Sequence, residues 1–358
     1  MSSLKEIKGR INSISSTLAI TSAMKMVAAA KLQKAQMAIQ NMLPYERRLH
    51  SMLIDLMGAM NISAAASEDG SVRGSGSAER GFDQSGDRLS LSNRHDLAGM
   101  DGAYSLMAQR EVRKVAIVAF ASNSSLCGAF NSNAIREATA VINEYRASGL
   151  RDSDIVVYSV GRKMAEAMRK LGFPSPADFT KMSDSPSYEA ASALAQELLD
   201  GFFSGRFDKV ELVYNHYKST SSQPTTRQTY LPLSLADATA DLQAGKIADS
   251  ASESDTNRGA EPVGAPVVRQ GSPTTEDLIV EPSKEALIAT LLPKVVRLRI
   301  FTTLLDSAAA EHAARTVAMQ LATDNGNDLL QELTLEYNKG RQQKITSEIL
   351  DLVGGSMQ

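Results

Sequence analysis

The chain is short of the residues that staple or metallate a fold. Its one cysteine, Cys127, excludes an internal disulfide, and four scattered histidines (His50, His95, His216, His312) cannot make a Cys/His metal site. Tryptophan is absent and aromatics make up 5% of the 358 residues, beside 15 methionines and much alanine. That composition suits helices packed closely through small side chains. No apolar run approaches the roughly 20 residues of a membrane-spanning helix, and MSSLKEIKGR lacks the apolar core of a secretory signal. The chain itself is therefore expected to stay in the cytosol. With 43% hydrophobic residues, 22% charged and a net charge of −3, it has material for about two domains.

What is present is a long helical seam. From Leu4, alternating steps of three and four residues pass through Ile7, Ile11, Ile14, Leu18, Thr21, Lys25, Ala28, Leu32, Ala35, Ile39, Met42, Glu46, Leu49, Leu53, Leu56 and Met60, and only Thr21, Lys25 and Glu46 are not apolar. The pattern fits a coiled-coil rod of roughly 85 Å, with a bend expected at Pro44. A buried helix of a large bundle has the same periodicity. Around residues 18–32 further apolar side chains (Ile20, Met24, Met26, Val27) widen the seam into a collar, so something besides one partner helix is expected to touch it. The first sixty residues carry eight Lys/Arg against three Asp/Glu, which suits nucleic acid, anionic lipid or an acidic protein surface.

The middle of the chain is organised differently. Residues 64–103 are rich in Gly, Ser and Asp without a sustained period and read as a flexible insertion. From residue 112, strand and helix patterns alternate: VRKVAIVAFAS, NSNAIREATAVINEYRAS, DIVVYSVG and GRKMAEAMRKLG. A Pro-rich link (Phe173 to Pro186) precedes helix YEAASALAQELLDGFF, strand DKVELVYNHYKS and a strand-like TTRQTYLPL that closes a hairpin. This predicts a small, Rossmann-like parallel α/β sheet. Residues 236–281 hold nine acidic and three basic residues and read as a second solvated segment. Ser283 then suits an N-cap, and no proline interrupts residues 294–358. The predicted organisation is a helix over 1–61, a polar linker over 62–110, an α/β domain over 111–235, an acidic insertion over 236–277 and a helix over 278–358. Two rods of matching length at opposite chain ends imply antiparallel pairing.

Enzymatic chemistry is hard to find. Glu311-His312 has no second ligand four residues away, and reads as a surface or interface histidine. Ser124-Ser125-Leu126-Cys127-Gly128 follows a strand as a nucleotide-binding turn would, but lacks the lysine and repeated glycines that cradle phosphate. Cys127 is expected to be a small buried thiol. Gly326 and Gly340, each costing about 0.8–1 kcal/mol relative to Ala within a helix, call for close approach of another backbone.

Three motifs carry a family resemblance. LKEIKGRINSI with ITSAMKMVAAAKLQKAQ, then SLCGAFN, then EHAARTVAMQLATDNGNDLLQELTLEYNKGRQQKITSEILDLVGG resemble, in order and spacing, the gamma subunit of the F-type ATP synthase. The resemblance implies a rotor without catalytic residues, cofactor or metal. It would transmit torque from a proton-driven c-ring to a hexamer of alpha and beta subunits, coupling proton flow to ATP synthesis. Its α/β domain would stand at the foot against the c-ring and the epsilon subunit, on the cytoplasmic face of the inner membrane, with no nucleic-acid partner. By motif, Met24, Lys25, Lys31, Arg315, Arg341, Gln342 and Thr346 would contact the hexamer, and Glu281 would face the ring. The turn before SLCG usually reads Asp-Arg-Gly in the family and is Asn123-Ser124-Ser125 here, which puts its ionic contacts in question. The competing expectation is a coiled-coil adaptor with an α/β binding domain.

Overall fold

A computed structural model describes residues 4–68, 106, 110–233 and 284–355. Helix α1 spans Leu4–Glu68 and runs through Pro44, continuing past residue 61 into the stretch expected to be polar insertion. The domain follows as β1 (Val115–Phe120), α2 (Phe130–Ala147), β2 (Ile155–Val160), α3 (Arg162–Lys170), α4 (Thr180–Asp184), α5 (Tyr188–Phe203), β3 (Lys209–Asn215) and β4 (Thr225–Leu231). Helix α6, Lys284–Gly355, completes the chain. It starts directly after the expected cap Ser283, which lies outside the described residues. At about 1.5 Å per residue, the 65 and 72 residues of α1 and α6 correspond to rods of about 98 and 108 Å.

The sheet order is β2-β1-β3-β4. β1 is parallel to both neighbours, with Val115 opposite Ile155 and Lys209, and β4 returns antiparallel to β3 as the predicted hairpin. β1 is buried along its whole length, as a central parallel strand should be. Its two faces feed separate cores. Val115, Ile117 and Ala119 pack with Ala134, Ala138, Val141 and Ile142 of α2 and with Met164 and Met168 of α3. Ala116, Val118 and Phe120 pack with α5 and with the shaft itself: Leu49, Leu53 and Leu56 of α1, and Ile288, Leu292, Val296 and Ile300 of α6. Leu106, inside the predicted linker, is fully buried in that second core, and its carbonyl accepts from Leu233 N at 2.8 Å.

Two local features escaped the sequence patterns. α4 lies within the Pro-rich link, where five residues are too few to show a period, and it buries Met182. Glu211 of β3, 1% exposed, is held by Arg227 at 2.7 Å, Lys209 at 2.6 Å and the Tyr145 hydroxyl at 2.6 Å. Burial pushes its carboxyl up, but those three partners together bring it below the ordinary value.

Candidate shaft interface

The two long helices pair antiparallel. Thr21 lies opposite Thr323, whose hydroxyl donates to it at 3.1 Å, and Glu46 accepts from the Thr302 hydroxyl at 3.1 Å. Every described seam position from Leu4 to Leu56 is at least partly buried, the polar Thr21, Lys25 and Glu46 included. Cross-helix hydrogen bonds at two of these polar breaks fix the axial register, the use to which coiled coils put them. The glycines fit the same packing, with one correction. A Cβ on Gly326 would stand 2.6 Å from Leu18 Cδ2, and one on Gly340 would stand 3.0 Å from Leu4 Cδ2. The glycines therefore make room for leucine side chains of α1, not for its backbone.

Outside the seam the shaft keeps apolar side chains in solvent. Ile20, Met26 and Val27 are 60%, 64% and 58% exposed, and Met24 and Lys25 are partly buried beside them. Lys31 is exposed at the collar's lower edge. Because Gly340 meets Leu4, α6 beyond that point has no described part of α1 opposite it, and residues 341–350 are all exposed. Arg341, Gln342 and Thr346 stand on this extension, alongside Ile345, Ile349, Leu350, Leu352 and Val353. Covering one such side chain would be worth about 1.5–3 kcal/mol. Glu281 lies outside the described residues.

At the foot, α6 occupies the carboxyl edge of the sheet. Phe120, Ala121, Val160 and Ser183 close on Leu304, Ser307, Ala308 and Glu311 of α6. Open α/β sheets bind ligands along this edge, and here it is filled by the chain's own helix. The preceding turn is built to match. Gly161, at φ +97°, could carry no Cβ, which would stand 2.0 Å from the Ala121 carbonyl oxygen. Cys127 is 1% exposed among Phe130 and Ala310, with Asn131 Nδ2 donating to its sulfur at 3.1 Å. It is the packed thiol expected.

Arg315 points inward. Nη1 donates to Glu311 Oε1 at 2.7 Å and Nη2 to Ser124 Oγ at 2.6 Å, and its side chain is 11% exposed. Burial raises the Glu311 carboxyl above its ordinary value while Arg315 pulls against that. Neighbouring His312 is partly buried, with Nδ1 enclosed and unpartnered, and burial, Arg315 and Lys31 lower it to about 4. Sequence patterns missed a second tie. Asp306 accepts from Tyr217 N at 2.8 Å and lies 2.6 Å from His216 Nδ1, and Gln36 Nε2 donates to the Tyr217 hydroxyl at 2.6 Å. The β3–β4 turn thus grips both shaft helices. These partners lie about 90 to 180 residues apart, where no local pattern links them.

Over residues 3–357 the sequence matches the ATP synthase family. An ATP synthase gamma chain of Phocaeicola vulgatus is 46% identical over 100% of both chains, and one of Bacteroides thetaiotaomicron is 44% identical over 100% of both. This chain belongs to the ATP synthase gamma family. The gamma chain of Flavobacterium johnsoniae is 36% identical, covering 99% of this chain and 98% of its own. Among solved structures, a rotor chain of Euglena gracilis mitochondrial ATP synthase aligns at TM-score 0.49 and 18% identity, over 96% of this chain and 98% of that one. Full-length coverage of these gamma chains means that the two polar segments do not make this one unusually long among them. Membership also fits an edge of the sheet closed by the shaft, for a gamma chain is a non-catalytic subunit of its complex. Among the described residues no group of His, Cys, Asp and Glu could hold a metal ion, and no helix is long and apolar enough to cross a membrane.

Proposed function

We propose that this chain is the central rotor of an F-type ATP synthase, turned by a proton-driven c-ring and turning inside an alpha-beta hexamer. The observation that carries this reading is a gamma-chain sequence folded as a two-helix shaft whose collar and tip leave apolar side chains uncovered. A shaft must be tied along its own seam yet leave apolar and basic side chains free to meet the sleeve around it. Met24, Lys25 and Lys31 at the collar, and Arg341, Gln342 and Thr346 at the tip, are the proposed hexamer contacts. Lysine ammonium groups and the arginine fork suit acidic loops of a partner. The guanidinium of Arg315, by contrast, is already engaged within the chain. The α/β domain would meet the epsilon subunit and the c-ring at the cytoplasmic face of the inner membrane, with Glu281 facing the ring.

The test is reconstitution of purified alpha and beta subunits with this chain, with a rotation probe on the α/β domain. Continuous one-way rotation on ATP is expected, and removing Arg341 and Gln342 together by alanine substitution should lower ATP turnover. If hydrolysis is the same with and without the chain and no rotation is recorded, the reading fails. An elongated monomer that binds no hexamer would favour an adaptor instead.

A further inference from the structure

The foot of the shaft poses a mechanical problem. Apolar packing between a domain and a helix resists separation, but it is non-directional and opposes rotation about the helix axis only weakly. Directional contacts must set the angle, and charge-assisted hydrogen bonds are the strongest of those available. Beside the Asp306 tie to the β3–β4 turn, Arg315 makes two, one within α6 and one across to the domain. One is Glu311, on its own helix and wedged against the carboxyl ends of β1 and β2. The other is Ser124, on the β1 exit loop.

That loop is stiff enough to bear load. The Ser124 carbonyl accepts from Ser122 Oγ at 2.6 Å and from Asn131 Nδ2 at 3.2 Å. Asn123 next to it bonds Arg162 N at 2.7 Å and the Thr180 carbonyl at 2.7 Å, tying the loop to α3 and α4. Leu126 is held at φ +68°, a conformation an unrestrained leucine would leave. The Arg315 and Glu311 side chains are only 11% and 9% exposed, so water competes little for that pair, whereas Ser124, where the link reaches the domain, is exposed.

We propose that Arg315 is a positioning residue for torque transfer: it sets the rotational angle of the α/β domain on the shaft by holding Glu311 and Ser124 together, rather than by touching the hexamer. This rests on the rotor reading. Ser124→Ala is the decisive variant, since it removes one exposed hydroxyl and leaves Arg315 in place to meet any hexamer group.

The experiment uses the assembled complex, with a probe on the α/β domain, and compares wild type with Ser124→Ala, Arg315→Ala, Arg315→Lys and the double variant. Losing one charge-assisted bond corresponds to roughly a tenfold shift toward the slipped arrangement. Both Ser124→Ala and Arg315→Ala should therefore widen the dwell-angle distribution and lower proton pumping per ATP. The double variant should be no worse than Arg315→Ala, because both break one link. Arg315→Lys, lacking the two-armed fork, should fall between Arg315→Ala and wild type. Uncoupling by Arg315→Ala with wild-type angles and pumping in Ser124→Ala would overturn the proposal, as would wild-type behaviour in both. A wild-type complex that does not rotate would instead sink the rotor reading.

Discussion

His312 illustrates how a single side chain reports its surroundings. Its ring is partly buried with Nδ1 unpartnered, and it stays neutral down to about pH 4, whereas an unfolded chain would protonate it near its ordinary 6.5. The unfolded state then binds more protons between those values, so this residue withdraws stability as pH falls from about 6.5 toward 4. His216 acts in the opposite sense. Its bond to Asp306 raises it against the pull of burial, so its contribution is complete below about 6.5 and is lost as pH rises through the raised value. Thermal unfolding of the full chain should show His312→Gln gaining on wild type as pH is lowered from 7 to 5, while His216→Gln loses ground over the same interval. A constant offset for His312→Gln would mean that the ring is not enclosed. Neither role could be read from the sequence, because the Asp306 partner of His216 lies on another element and the enclosure of His312 comes from tertiary packing.

At the scale of the element, the shaft is a seam of leucines and isoleucines relieved by two glycines. Gly340→Ala places a Cβ against the end of Leu4, a flexible side chain in the first turn of α1, and should stabilise the helix by up to about 1 kcal/mol through propensity alone. Gly326→Val pushes further into Leu18, already 2.6 Å from the first added atom, and should cost about 1–3 kcal/mol as overpacking. Denaturant titration followed by far-UV circular dichroism separates the two, and equal stability would argue against the observed register. The seam was the most legible feature of the sequence because burial along a helix repeats in number. Strands were legible for a similar reason, as β1 is apolar on both sides and bounded by polar residues. What the glycines accommodate was only half legible: their cost demanded close packing, but not whether backbone or side chain would fill the space. The short α4 had no period to show.

Across the whole molecule, the α/β unit does not own its core. One face of the sheet is closed by α2 and α3, but the other depends on α5 together with the feet of α1 and α6. A fragment of residues 110–233 should therefore expose Ala116, Val118 and Phe120 at the uncovered end of that face, bind an apolar dye and self-associate in light scattering. A stable monomer with little dye binding would show that α5 alone suffices. Strand and helix patterns predicted the α/β fold, but not that one of its cores is shared with the shaft. The dependence on the shaft was hidden because apolar residues of α1 and α6 serve both the seam and the sheet.

The antiparallel pairing also sets a timetable for making the chain. Thr21 meets Thr323 across 302 residues, which at about 5–20 residues per second separates their synthesis by roughly 15–60 s. Throughout that interval the seam of α1 around Thr21 has been made and its partner on α6 has not. Non-local pairing of this kind is slow and leaves apolar surface open to aggregation. The N-terminal half of the newborn first helix thus needs shelter until the middle of α6 has been translated.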